Sequence, residues 1–215
     1  MAESFSGSQP VALAPGGPQR HGEDMNPIEV SSDLTGKLLI AMPGMGDPRF
    51  ETSVVFLCAH SDEGAMGLMI NKPADGLDIS DVLAQLDIEP GQGDYRSDVH
   101  FGGPVEHRRG FVLHSPDRTY EAATLEVDTR FAMTASREVL DDMVQGTGPH
   151  QTLLALGYAG WGPGQLEDEI GENAWLTCDA KPEIVFDAED GGKWEAAVRS
   201  LGIEPLMLSG KAGHA

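Results

Sequence analysis

The chain predicts an α+β fold built on a mixed, mostly antiparallel sheet. Three observations lead there. Strand-like runs outnumber helical stripes, and the two do not alternate as a doubly wound sheet requires. The apolar runs at 53–60 (SVVFLCAH) and 67–71 (GLMIN) are joined by a link short enough for an antiparallel hairpin. No internal repeat of solenoid length interrupts this pattern.

Residues 1–33 are rich in Pro, Gly, Ser and charge, and cannot bury enough apolar surface to offset ordering, so they are expected to form a flexible arm. One domain is expected over 34–208, with a frayed polar tail at 209–215. The domain opens on a strand at LLIAM, followed by a turn punctuated by Pro43, Gly44, Gly46 and Pro48. The continuous apolar run at 53–60 reads as a strand buried on both faces. Pro73 closes the next strand because it has no N–H to donate. Ile79, Val82, Leu83 and Leu86 then fall on one helical face behind the N-cap Asp78, and 89–97 reads as a loop.

Short strands follow at 99–101 and 110–114, and the alternating run 122–128 suits a sheet edge with one wet face. A second helical stripe joins Val139, Leu140, Met143 and Val144, with Ser136 as N-cap and Gly146 as stop. The stretch 152–170 (TLLALGYAGWGPGQLEDEI) reads as a buried strand, a glycine-rich turn and a short acidic helix. Strands are expected at 174–178 and 183–186. A last helix places Trp194, Ala197, Val198 and Leu201 on one face and stops at Gly202.

Charge excludes some functions. Fourteen Lys and Arg against 35 Asp and Glu give a net charge of −21, which repels nucleic-acid phosphates and anionic lipids. Direct nucleic-acid or membrane binding is not expected; a protein partner is. The N-terminus carries Glu3 and no basic segment ahead of an apolar core, and no apolar run nears the roughly 18 residues of a membrane span, so a cytoplasmic protein is expected. Cys58 and Cys178 lie in apolar runs and read as small buried hydrophobes.

Three stretches invite a chemical reading. Around 152–170 the glycines match neither the dinucleotide fingerprint nor a phosphate loop. Glu167, Asp168 and Glu169 in the first helical turns would repel a phosphate and complement the helix dipole themselves. Two readings remain: turn glycines and helix-start acids that serve the backbone, with Trp161 packed over the turn, or a groove with Trp161, Gln165 and Glu167 as walls. Asp47 and Arg49 in the first turn, with Asn71 and Lys72, are grouped with that groove as one candidate cleft, read against a turn that Asp47 caps while Arg49 pairs with a nearby acid. Arg108 and Arg109, an adjacent basic pair in an acidic chain, are a candidate contact for a partner, read against a solvated hairpin tip. His100, His107 and His114 are spaced so that no two share a metal, and no serine-hydrolase elbow or Cys-x-x-Cys pair is present. No metal, cofactor or catalytic set is expected.

The segments LTGKLLIAMPGMGDPRFETSVVFLCAHSDEGAMGLMINKP (34–73), HFGGPVEHRRGFVLHS (100–115) and LGYAGWGPGQLEDEIGENAWL (156–176) together resemble the AlgH/YqgE family of bacterial proteins. The resemblance implies a single-domain α+β fold whose sheet bends into a partial barrel. Members are often labelled transcriptional regulators, but the family supplies no reaction, cofactor or catalytic residue to carry over. The expectation is therefore a cytosolic regulatory or interaction protein without catalysis. The alternative is a small-ligand-binding protein, or an enzyme of unrecognised type, using a cleft near the GYAGWGPGQLE loop.

Overall fold

A computed structural model describes residues 33–93, 98–121 and 123–208. The expected arm (bar Asp33), the tail from 209 and the end of the 89–97 loop lie outside these residues. Strand β1 (Lys37–Ala41) leads into a turn that contains a short 3-10 segment, Pro48–Phe50, with Asp47 capping its start. β2 (Val54–Ser61) and β3 (Gly64–Met69) form the expected hairpin. β2 is buried on both faces: Val54, Phe56 and Cys58 face one apolar cluster, and Val55 and Leu57 face another. This explains its unbroken apolar run.

An unexpected strand, β4 (Pro73–Asp78), follows; Pro73 opens it instead of only closing the one before. Helix α1 (Ile79–Gln85) begins where Asp78 accepts the Asp81 N–H and Asp81 accepts the Asp78 N–H, a reciprocal capping box. β5 (Asp98–Phe101), β6 (Val105–His114), β7 (Thr124–Glu126) and β8 (Ala132–Thr134) come next, β8 being unexpected. Helix α2 (Arg137–Gln145) stops at Gly146 in the left-handed region, as expected, but Ser136 makes no capping hydrogen bond.

β9 (Thr152–Trp161) continues through a turn into α3 (Gln165–Gly171) and β10 (Trp175–Asp179). The strand expected at 183–186 is instead a π-helical turn, Glu183–Asp187. Ile184 and Val185 are neighbours in sequence, yet both join the same core cluster, which a strand with alternating side chains does not allow. The Lys181 carbonyl accepts both of their N–H groups, so the turn supplies the pairing a strand would have sought from a neighbour. Helix α4 (Asp190–Ser200) and the short α5 (Pro205–Leu208) end the described chain.

The strand order is β10-β1-β2-β3-β9-β6-β8-β7, with β4 and β5 branching from β9. All pairings are antiparallel except β5 with β9. The sheet curls into a half-barrel with helices packed on it. β9 holds the halves together. Its first half lies between β6 and β5, and its last three residues pair with β3. Leu153 and Ala155, Leu154, and Ala159 with Trp161 each enter a different apolar cluster, so this one strand touches all three.

β6 departs from regular pairing where it meets β9. Val105 faces Tyr158 and Gly110 faces Leu156, so five steps along β6 (105 to 110) oppose two along β9 (158 to 156). The surplus residues, Glu106 to Arg109, bulge out of the ladder, with Glu106 at φ +47°. Gly157 lies under the bulge at φ +72°. A Cβ there would meet the carbonyl oxygens of Gly103 and Val105 at 2.5 and 2.7 Å and the Cα of His107 at 3.0 Å. Only glycine lets the bulge sit this close to β9.

Candidate ligand-binding site

Asp47, Arg49, Trp161 and Gln165 meet at one cleft of about 330 Å³, together with Met45, Phe50, Pro104 and Glu169. The turn after β1 and the turn after β9 are brought together because β1 pairs with β10, which runs back from α3. The other three residues grouped with this cleft lie elsewhere. Asn71 is buried between strands, where its amide oxygen accepts the Val54 N–H at 2.8 Å and its amide nitrogen donates to the Thr52 carbonyl at 2.9 Å. Lys72 donates to the Glu51 carbonyl at 2.6 Å. Glu167 faces away and accepts from His60 Nε2 at 2.7 Å. His60 Nδ1 accepts the Leu34 N–H, so this contact ties α3 to the start of the domain.

The carboxylate at the cleft is Glu169. Its Oε2 accepts both the Trp161 and Trp175 indole N–H groups, and its Oε1 accepts from Gln165 at 2.8 Å. The Gln165 amide oxygen takes the Gly162 N–H in turn. Arg49 forms a fork with Asp47, which holds the Asp47 carboxyl below the usual carboxylate range. The polar groups of the cleft therefore answer one another. The signal for Glu169 was its i,i+4 spacing from Gln165, which puts both on one helical face.

A larger cavity, about 610 Å³, opens between α1 and α2 over the β6–β9 pair. Its floor and walls are apolar: Leu77 from β4, Val82 from α1, Leu86 just after it, Val112 from β6, Leu140 from α2, and Leu154 and Leu156 from β9. The β6 bulge forms one wall, so Arg108 and Arg109 border this cavity and are not at a hairpin tip. His107 and Arg137 also line it. Three of the chain's fourteen basic residues are thus gathered here, and none of its described Asp or Glu residues is among the lining. Arg109 pairs with Glu106 at 3.1 Å and lies over the Phe111 ring. Arg137 donates to the Asp87 carbonyl at 3.0 Å and sits 3.4 Å from Asp141. The Arg108 side chain makes no ion pair or hydrogen bond among the described residues. The Ser136 hydroxyl is buried at the cavity edge and has no hydrogen-bond partner among them either.

A third polar cluster joins β5 to α4. His100 Nε2 lies 3.0 Å from both Asp190 oxygens, and Lys193 Nζ lies 2.9 Å from Asp190 Oδ1 and 2.8 Å from the Ile70 carbonyl. Burial, the strongest influence on Asp190, disfavours its charge. The His100 and Lys193 hydrogen bonds together outweigh that and hold its carboxyl below the usual range. Burial also pushes the Lys193 ammonium below the ordinary lysine value despite its partner. Among the described residues no three His, Cys, Asp or Glu side chains are grouped to hold a metal ion, and no helix is long and apolar enough to cross a membrane.

Comparison with known proteins agrees with this architecture. The AlgH-like family model matches residues 38–206. A UPF0301 protein of Ruegeria pomeroyi is 59% identical over 184 residues, 85% of this chain and 100% of that one. A UPF0301 protein of Paracoccus denitrificans is 56% identical over 87% of this chain and 100% of its own. The solution structure of the AlgH protein from Pseudomonas aeruginosa, 45% identical, superposes with a TM-score of 0.71 over 86% of this chain and 97% of that one. A Corynebacterium diphtheriae protein at 20% identity shares the fold, with a TM-score of 0.63 over 78% of this chain and 86% of that one. A family match over most of the domain, close relatives along their whole length and a shared half-barrel agree: the chain belongs to the AlgH-like family.

Proposed function

We propose that this AlgH-like protein is a small-ligand-binding protein without catalysis of its own, and that its site is the cavity between α1 and α2. The observation that carries this reading is the cavity itself. A space of about 610 Å³ with a mainly apolar lining and a few polar groups at its edge is the usual form of a small-molecule site. The Trp161 cleft is smaller, and its polar atoms are already matched to one another. The His100–Asp190–Lys193 cluster likewise has its hydrogen bonds directed inward, to each other and to the backbone. Regulation, if the protein serves it, would then act through ligand occupancy. The net charge of −21 favours a partner other than nucleic acid.

The test uses a neutral apolar fluorophore, N-phenyl-1-naphthylamine. Saturable binding at one site per chain is expected, with a rise in melting temperature that grows with probe concentration. Leu86 is 38% exposed at the cavity rim, so Leu86→Trp should fill the space without disturbing the core, and should remove the signal while the far-UV spectrum stays unchanged. Equal probe binding by the parent and Leu86→Trp proteins, or no saturable binding, rejects this site.

A further inference from the structure

We infer that the ligand of the α1–α2 cavity is a soluble amphipathic anion: an apolar body lying between the two helices, with a carboxylate or phosphate head held by Arg108 and Arg137. The inference rests on the cavity being the binding site. It adds the charge of what enters. In a chain with 35 acidic residues, a cavity edged by three arginines and no described carboxylate is a local reversal of sign. Low-dielectric walls focus such a field on whatever enters. A cationic ligand would meet the unpaired charge of Arg108, and a neutral one would leave that charge unused.

The three arginines are not equivalent. Arg109 is paired with Glu106, and Arg137 is held by the Asp87 carbonyl beside Asp141. Glu106 and Asp141 are thus each engaged by an arginine of the lining. Arg108 carries the uncommitted charge, and its guanidinium presents a planar fork suited to a two-oxygen head. The bulge of β6 explains its placement. Regular pairing would turn successive side chains to opposite faces, whereas the looped-out segment lets Arg108 and Arg109 both reach the cavity. The apolar floor, from Val82, Leu140, Leu154 and Leu156, takes the rest of the molecule.

The experiment is displacement of N-phenyl-1-naphthylamine from the full-length protein by an eight-carbon series that differs only in its head: octanoate, octyl phosphate, octanol and octylammonium. The two anions should displace it at concentrations about 10- to 100-fold below octanol, and octylammonium should be weakest, as expected for a charge-assisted contact. With displacement normalised to the variant's own affinity for the fluorophore, Arg108→Gln should bring the anions to the level of octanol. If the fluorophore binds but the four heads compete equally, or the anion preference survives in Arg108→Gln/Arg137→Gln, the inference fails while the cavity stands as a site. If the fluorophore itself does not bind, both fail. Sedimentation of the protein with phosphatidylglycerol vesicles at octanoate-insensitive affinity would also overturn it, because the head would then belong to a membrane lipid.

Discussion

Trp161 donates its indole N–H to Glu169 Oε2 at 2.9 Å, from one turn of chain to the next. The same oxygen takes the Trp175 indole, and the two rings meet edge to face at 5.9 Å. Trp161 is 7% exposed and Trp175 3%, so both donors need this acceptor. Glu169→Ala is expected to cost about 2–4 kcal/mol, because it strands two buried N–H groups. Glu169→Gln should cost less, since its one carbonyl oxygen can still accept. Urea denaturation checks the order, and near-UV dichroism should show the indole bands altered in both variants. A neutral Glu169→Ala would mean that water replaces the carboxylate.

Gly157 decides whether the bulge of β6 can form. Its left-handed backbone and the 2.5 Å approach to the Gly103 carbonyl both forbid a Cβ. Gly157→Ala should destabilise by about 3 kcal/mol or more, from backbone strain and overlap together. Gly164, at φ +73° with nothing within 4 Å of a built Cβ, separates the two causes. Gly164→Ala should cost only the strain, about 1–2 kcal/mol. Equal losses in thermal or urea unfolding would refute the close-approach account.

These two positions also show what could be read from residues alone. Periodicity located α1, α2 and α4 because each buries a stripe at helical spacing, and Asp78 was legible as a cap because capping is local. The strand at Pro73–Asp78 was not. PADGLD carries a proline, a glycine and mostly exposed side chains, and it is a strand only because β5 pairs with it. Ile184 and Val185 read as strand for the opposite reason: apolar, β-branched residues sit in a helical turn because the core takes both on one side. The cavity was illegible as a whole. Leu77, Arg108, Leu140 and Leu156 share no motif, and only the sheet order and a bulge assemble them. Arg108–Arg109 stood out by charge, but their setting depended on a register that local pattern does not encode.

Cys58 is 1% exposed in β2, and burial pushes its thiol up to about 12. Cys178 is 7% exposed and is also raised, chiefly by burial. The reactive species is the thiolate, so neither should react with an aromatic disulfide reagent at pH 8 in the folded protein. Both should react in denaturant. Stoichiometric labelling of the native protein within minutes, at a rate independent of added denaturant, would contradict this.

Asp190 is the acid that neutralises Lys193, whose side chain is only 3% exposed. Replacing it with Asn leaves a buried ammonium with the Ile70 carbonyl and only the more remote charge of Asp98. Asp190→Asn is expected to cost about 3 kcal/mol or more at pH 7. Adding Lys193→Met should recover part of that loss, because the uncompensated charge is then gone; a double variant no more stable than Asp190→Asn would show that the charge was not the cause. The pH dependence follows from the depressed Asp190 value. Unfolded, the carboxyl takes up a proton near its ordinary value of 3.8; folded, it does so at lower pH. Its stabilising contribution is therefore fully present above that ordinary value and fades as pH falls from there through the folded value. Other acids titrate in the same range, so the measurement is a difference. The stability gap between the parent and Asp190→Asn, taken by urea denaturation, should shrink between pH 4 and 3. A gap that stays constant to pH 3 would mean that the proton binds Asp190 equally in both states, and that His100 and Lys193 do not hold its charge.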